Sequence, residues 1–260
     1  MDLELEGKCF LITGGSSGLG KALGLRLAKE KANVAIMARD LQRISGAAGE
    51  LRNIGAGGEV MALPGDVLDP VDLERFVEAT EERWGRIDGV ANNAGQMSAG
   101  RFAEHEDEVW AADLELKLMA AIRLTRLALP LLRVRGGAVL NTLAVSGKAP
   151  DALSTPTSVT RAAGLALTKA LSRELAPEGI RVNAVLVGAV ESPQLEGYAA
   201  QAKLSSADYY ARLARESGIP MGRVGRPNEF GDLGAFLLSE RASYVTGVGV
   251  NLDGGVCPVP

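Results

Sequence analysis

Short apolar runs alternate with longer amphipathic stretches along this sequence, and that alternation restricts it to one broad architecture. The runs Cys9–Ile12, Asn33–Ala38, Glu59–Leu63, Ile87–Ala91, Ala138–Thr142, Ile180–Leu186 and Gly249–Leu252 read as strands. Helical patterns fall between them. They cover Leu19–Glu30, a stretch to about Asn53, Pro70–Trp84, Glu106–Leu132 with Pro130 near its end, Ser158–Leu175 and Pro227–Leu238. Strands separated by helices pair in parallel through right-handed crossovers, which predicts an α/β chain with a doubly wound, mainly parallel seven-stranded sheet. No repeat, low-complexity tract or linker is visible, so residues 1–260 read as a single domain around one core. The stretch Gly188–Gly225 stands outside the alternation. It is expected to carry short helices, such as Ala207–Glu216, over one end of the sheet, with apolar faces such as Tyr209–Leu213. An excursion of that length is more often functional than passive.

The net charge of -4 argues against a nucleic-acid or anionic-membrane partner held through bulk charge. Cys9 and Cys257 are too few and too far apart for a disulfide framework or a metal site, so no metal is expected, and Cys9 reads as core. No apolar stretch approaches the roughly 18 residues a membrane span needs. Met1–Lys8 is charged and has no apolar segment, which reads as no signal peptide and a cytoplasmic protein.

Thr13–Gly20 reads T-G-G-S-S-G-L-G between a strand and a helix. Glycines there let the backbone approach a pyrophosphate, while the helix N-terminus offers N–H donors. The spacing resembles that of the short-chain dehydrogenase/reductase family, and the resemblance extends over nearly the whole chain. It continues in Asn92–Gly95 (N-N-A-G), Ile180–Ala184 (I-R-V-N-A), Gly222–Pro227 (G-R-V-G-R-P), Tyr244–Gly247 (Y-V-T-G) and Asp253–Gly255 (D-G-G). The resemblance implies a Rossmann-type three-layer αβα sandwich. It also implies a dinucleotide held by Gly14, Ser16, Ser17, Gly18, Leu19 and Gly20, by Asp66 and Val67 beside the adenine, by Asn93, Ala94 and Gly95, and by Arg161 and Gly188. At the end of the second strand, Ala38 occupies the position that is acidic in NAD enzymes, and Arg39 follows it. An arginine clamps a phosphate through two parallel hydrogen bonds, so NADP is expected over NAD, unless Arg39 is a solvated charge paired with Asp40.

The resemblance fails at the reacting end. The family works with an Asn, a Ser, a Tyr and a Lys, and its spacing places these at Lys117, Ala144, Thr157 and Arg161. Ser146 replaces the serine if the loop is shifted by two residues. A threonine hydroxyl is far too weak an acid to act as a tyrosine does near neutral pH, and arginine relays no protons. Lys117 is different: beside Arg161 in a partly buried cleft, repulsion and desolvation would both lower its pKa. Two cations facing one cleft favour an anionic substrate, unless Glu191 neutralises one of them. Thr157 and Ser158 read more simply as helix-capping residues, and His105 as part of a solvated turn.

Three functions follow. The first is an NADP-dependent oxidoreductase with a non-standard active site built on Lys117, Arg161, Thr157 and Ser146. The second is a catalytically inactive NADP-binding pseudoenzyme or sensor. The third is a lyase or isomerase that reuses the fold through a Lys117 Schiff base. The resemblance further implies a homotetramer or homodimer joined through the helices at Glu106–Leu132 and Ser158–Leu175.

Overall fold

The computed structural model describes residues 2–55 and 57–260. Ala99–Gly100 and Thr155–Pro156 pair separately, and the strands of its main sheet are β1 (Cys9–Thr13), β2 (Asn33–Ala38), β3 (Val60–Pro64), β4 (Gly89–Asn92), β5 (Gly137–Ala144), β6 (Ile180–Val187) and β7 (Gly249–Leu252). They form one seven-stranded sheet in the order β3-β2-β1-β4-β5-β6-β7, with every pairing parallel.

Both faces of this sheet are covered, and β1 shows why its sequence is a continuous apolar run rather than an alternating one. Side chains alternate across a strand, so Phe10 and Ile12 enter one core with Leu23, Leu27, Ile36 and Phe230. Cys9 and Leu11 enter the other with Met37, Phe76, Leu124 and Val139. Cys9 is fully buried, and that burial pushes its thiol pKa up, as suits a core residue.

The helices are α1 (Gly18–Lys29), α2 (Leu41–Ile54), α3 (Pro70–Trp84), α4 (Asp107–Leu114), α5 (Ala120–Arg135), α6 (Thr157–Leu175), α7 (Pro193–Gln201), α8 (Ser206–Glu216) and α9 (Pro227–Leu238). The stretch expected as one helix from Glu106 is interrupted by a wider π turn at Glu115–Met119, and the helical path then runs on through Pro130 to Arg135. The excursion carries α7 and α8 and is closed by a bridge between Val190 and Gly225. No helix among the described residues is long and apolar enough to cross a membrane.

The chain passes outward from β1 to β2 and β3, then returns to β4 on the other side of β1. This reversal opens a crevice beyond the carboxyl ends of β1 and β4, where ligands bind in open α/β sheets. Gly20 seats the start of α1 there: a Cβ on it would lie 2.4 Å from the Gly14 carbonyl oxygen. Gly46, on α2, has open space around its Cβ position. Gly20→Ala should therefore lower unfolding free energy by about 1–3 kcal/mol, and Gly46→Ala should raise it by about 0.5–1 kcal/mol. Urea unfolding of the two variants checks this, and equal effects would contradict the assigned packing.

Candidate active site

The phosphate-loop end is built from β1, α1 and the loop after β4. Gly14 has φ +67° and Gly18 φ +52°, conformations open to glycine. The Gly14 and Gly15 N–H groups donate to the Met37 carbonyl at 2.9 and 3.2 Å, tying the loop to β2. Ser17 precedes α1 in an extended conformation and makes no side-chain cap, so the first N–H groups of α1 have no side-chain acceptor there. Ser16, Ser17 and Leu19 are half-buried around this opening. A bare glycine cradle below an uncapped helix N-terminus fits a pyrophosphate.

Thr13, which sequence reasoning passed over, locks the two loops together. Its hydroxyl oxygen accepts the Asn93 and Ala94 N–H groups at 3.0 and 3.1 Å. The Asn93 amide donates to the Thr13 carbonyl at 3.1 Å, and the Thr142 hydroxyl donates to Asn93 Oδ1 at 3.2 Å. Arg39 is exposed at the end of β2. It is not paired with Asp40, which caps α2 by accepting from the Arg43 N–H and also pairs with the Arg43 side chain. Asp66 Oδ1 accepts from the Leu68 N–H, and Val67 is buried beside it. Gly188 lies against Asp253, where a Cβ would come within 2.9 Å of the Asp253 Cβ.

The other end of the crevice is charged. In the π turn the Ala120 N–H donates to the Glu115 carbonyl five residues back. Such turns recur at functional sites, and this one holds Lys117. The Lys117 ammonium is fully enclosed. It donates to Asp113 Oδ1 at 2.5 Å and to Thr157 Oγ1 at 2.6 Å. Asp113 Oδ2 lies 2.7 Å from the Thr160 hydroxyl. The Thr157 hydroxyl also accepts from the Ser98 N–H at 2.9 Å and donates to the Ser98 carbonyl at 2.6 Å. One donor and two acceptor positions are all a hydroxyl has, so Thr157 is saturated.

The capping expected of Thr157 and Ser158 is not what these residues do. The residue before α6 is Pro156, with no side-chain cap. Thr157 turns inward to Lys117, and Ser158 is buried, with its N–H given to the Ser154 carbonyl.

Arg161, one turn further along α6, donates to the Thr142 carbonyl at 2.8 Å. Its Nε is buried without a partner. A Cβ on Gly95 would lie 2.8 Å from Arg161 Nη2, so a larger residue there would make the guanidinium shift. No carboxylate lies within ion-pair distance of Arg161 among the described residues. Ser146 sits half-buried on the short turn Val145–Gly147, which packs on α6: a Cβ on Gly147 would meet the Arg161 backbone at 2.7 Å. Ser146 makes no side-chain hydrogen bond to Lys117, Thr157 or Arg161.

Burial pulls the Lys117 pKa down to about 8, with the Arg161 charge adding and the Asp113 hydrogen bond opposing. Burial also lowers Arg161, to about 10, which leaves it a cation at neutral pH. The repulsion expected between Lys117 and Arg161 is therefore present, but the expected neutraliser was misassigned. Asp113, not Glu191, pairs with Lys117; the Glu191 backbone N–H joins Gly225 instead. The signal for Asp113 was its place four residues before Lys117, a spacing that brings side chains together on a helix. His105 likewise departs from the expected solvated turn: it is half-buried against Gly100, and its Nε2 has no partner. No group of three metal-ligating side chains occurs among the described residues.

A family model described as enoyl-(acyl carrier protein) reductase matches residues 14–257. The chain is 34% identical over 255 residues to the 3-oxoacyl-(acyl carrier protein) reductase FabG of Thermotoga maritima, covering 98% of this chain and 99% of that protein. Among solved structures it is similar to the NADPH-bound short chain oxidoreductase from Pseudomonas aeruginosa PAO1 containing an atypical catalytic center. That match has a TM-score of 0.92 and 36% identity, over 97% of this chain and 98% of the other. The L-sorbose reductase from Gluconobacter frateurii, complexed with NADPH and L-sorbose, superposes with a TM-score of 0.94 at 32% identity over 100% of both chains.

Removing one member of a buried ion pair strands the other. Lys117→Met should thus cost about 3–5 kcal/mol in urea unfolding. The double variant Lys117→Met/Asp113→Asn should recover most of that loss. Additive losses would contradict a coupled pair.

Proposed function

The chain belongs to the short-chain dehydrogenase/reductase family, and from that premise we propose an NADP-dependent oxidoreductase, transferring hydride to or from a carbonyl or alcohol of an anionic substrate through a non-standard active site. The observation that carries this reading is Lys117, an enclosed amine whose pKa is lowered to about 8 behind the β1 and β4 ends of a dinucleotide cradle.

NADPH, when bound, supplies the hydride. Gly14, Ser16, Ser17, Gly18, Leu19 and Gly20 would hold its pyrophosphate, and Arg39 its 2′-phosphate. Asp66 and Val67 would flank the adenine, with Asn93, Ala94, Gly95, Arg161 and Gly188 along the nicotinamide half. Carbonyl reduction leaves an oxygen that must gain a proton. Thr157 has no free hydrogen-bonding capacity, and Arg161 stays charged, so neither is suited to supply it. Lys117 Nζ holds a proton that it can give up near pH 8, and Thr157 and Asp113 aim it. Lys117 and Arg161 stand behind one end of the crevice, and among the described residues only Asp113 pairs with either, an excess of one positive charge that favours an anionic substrate. Ser146, on the adjacent turn, is the remaining hydroxyl for a substrate oxygen.

The enclosure of Nζ and its engagement with Asp113 and Thr157 speak against a Schiff base there. The same enclosure favours the second reading, a pseudoenzyme or sensor that holds NADP without turnover. For assembly, a homodimer or homotetramer through α4–α5 and α6 is supported by Val134 and Val159, apolar and exposed on α5 and α6.

Titration by nucleotide fluorescence should show NADPH binding well ahead of NADH. A panel of aldehydes, ketones and keto acids should then oxidise NADPH, with Lys117→Met slowed by about 10²–10⁴-fold. Tight NADPH binding with no turnover on any member would replace this reading with the sensor. Binding of neither nucleotide would overturn both.

A further inference from the structure

We propose that Asp113 is the positioning residue of this site: one carboxylate, fixed by Thr160, that pairs with the buried Lys117 ammonium, aims it and holds its proton against the Arg161 charge. The inference rests on the reading of Lys117 as the proton-carrying group, but it concerns a property of the ligand-free protein that is measured without turnover.

The geometry is a closed ring. Asp113 ends the last turn of α4 and reaches Lys117, in the π turn, through Oδ1 at 2.5 Å. Lys117 reaches Thr157, at the start of α6, at 2.6 Å. Thr160, one turn along α6, returns to Asp113 Oδ2 at 2.7 Å. The Thr160 oxygen also lies 3.0 Å from the Thr157 carbonyl, so the ring closes through a single turn of α6. The ring excludes water: Asp113 is 4%, Lys117 5%, Thr157 7% and Thr160 1% exposed. Both carboxylate oxygens are thereby engaged, one by a cation and one by a neutral hydroxyl.

The arrangement around Lys117 leaves Asp113 with a specific task. Arg161, from α6, is the cation that opposes Lys117, and it too is stabilised by the Asp113 charge. The residues that line the small cavities beside Lys117 are neutral: Thr13 from β1, Asn92 from β4, Asn141 and Thr142 from β5, and Ala120 and Ala121 from α5. Thr157 and Ser98 are neutral as well. A carboxylate within hydrogen-bond distance favours the charged amine, while burial and Arg161 oppose it. Among the described residues Asp113 is thus the one negative group holding a proton on Lys117, and Thr160 keeps the carboxylate facing it. A residue that only fastened α4 to α6 would serve equally well as a neutral amide.

The test is a pH titration of the Lys117 side chain by NMR, in ligand-free protein with isotopically labelled lysine. The Lys117 signal is assigned by its loss in Lys117→Met. The wild-type midpoint is expected at about 8. Asp113→Asn should lower it by about 1–3 pH units, and Asp113→Glu should restore most of that shift. Arg161→Met should raise the midpoint by about 1 unit, and it carries the test if Asp113→Asn does not fold. A folded Asp113→Asn with an unmoved midpoint would overturn the proposal, as would Arg161→Met with an unmoved midpoint. A chain that shows these shifts but never turns over would retain this inference while losing the oxidoreductase reading.

Discussion

A buried cation must be answered by a carboxylate, by a ligand or by loss of its proton, and this constraint organises the reacting end of the molecule. Among the described residues, Lys117 and Asp113 are a buried pair, and the Arg161 charge on α6 opposes the Lys117 charge. The π turn carries Lys117, the inward Thr157 accepts from it, and the buried Thr160 holds the far oxygen of Asp113. The four-residue spacing places Lys117 beside Asp113, and the wider turn at Glu115–Met119 is where the helix carries it to Thr157 of α6.

The two ends of the crevice obey different physics. At the glycine loop, recognition depends on backbone: bare glycines, an uncapped helix start and the Thr13 hydroxyl holding the two loops in register. None of this depends on acid or base chemistry. At the other end everything depends on charge. A chain can therefore keep the first while rebuilding the second, which is why shared fold does not fix shared reaction. Arg161 stands where the two meet, close against Gly95 and fixed to Thr142.

The fold was legible because its signals are local. Alternating periods and glycine punctuation located each of the seven sheet strands to within a few residues, and the excursion helix expected at Ala207–Glu216 begins one residue earlier. The glycine loop at Thr13–Gly20 and the nearness of Lys117 to Arg161 were legible through spacing. What escaped was decided by partners distant in sequence. Thr157 reads as a cap because capping is a local competition, yet Ser98 and Lys117 claim its hydroxyl across 59 and 40 positions. Asp113 reads as one half of an ordinary helical ion pair until Thr160, 47 positions away, closes over it. Glu191 offered a counter-charge by loop position alone, whereas the carboxylate that pairs with Lys117 is Asp113. The π turn has no period of its own to announce it.

The central claim is that Lys117 carries the proton that a tyrosine carries elsewhere in the family, and the pH dependence of NADPH-driven reduction tests it most directly. Reduction needs the protonated amine, so the rate should be level below the Lys117 pKa of about 8 and fall about tenfold per pH unit above it. Oxidation of the corresponding alcohol needs the neutral amine and should rise over the same range. In Lys117→Met the residual rate should show no break there. A wild-type rate that is level through that range, or a break that survives in Lys117→Met, would contradict the assignment.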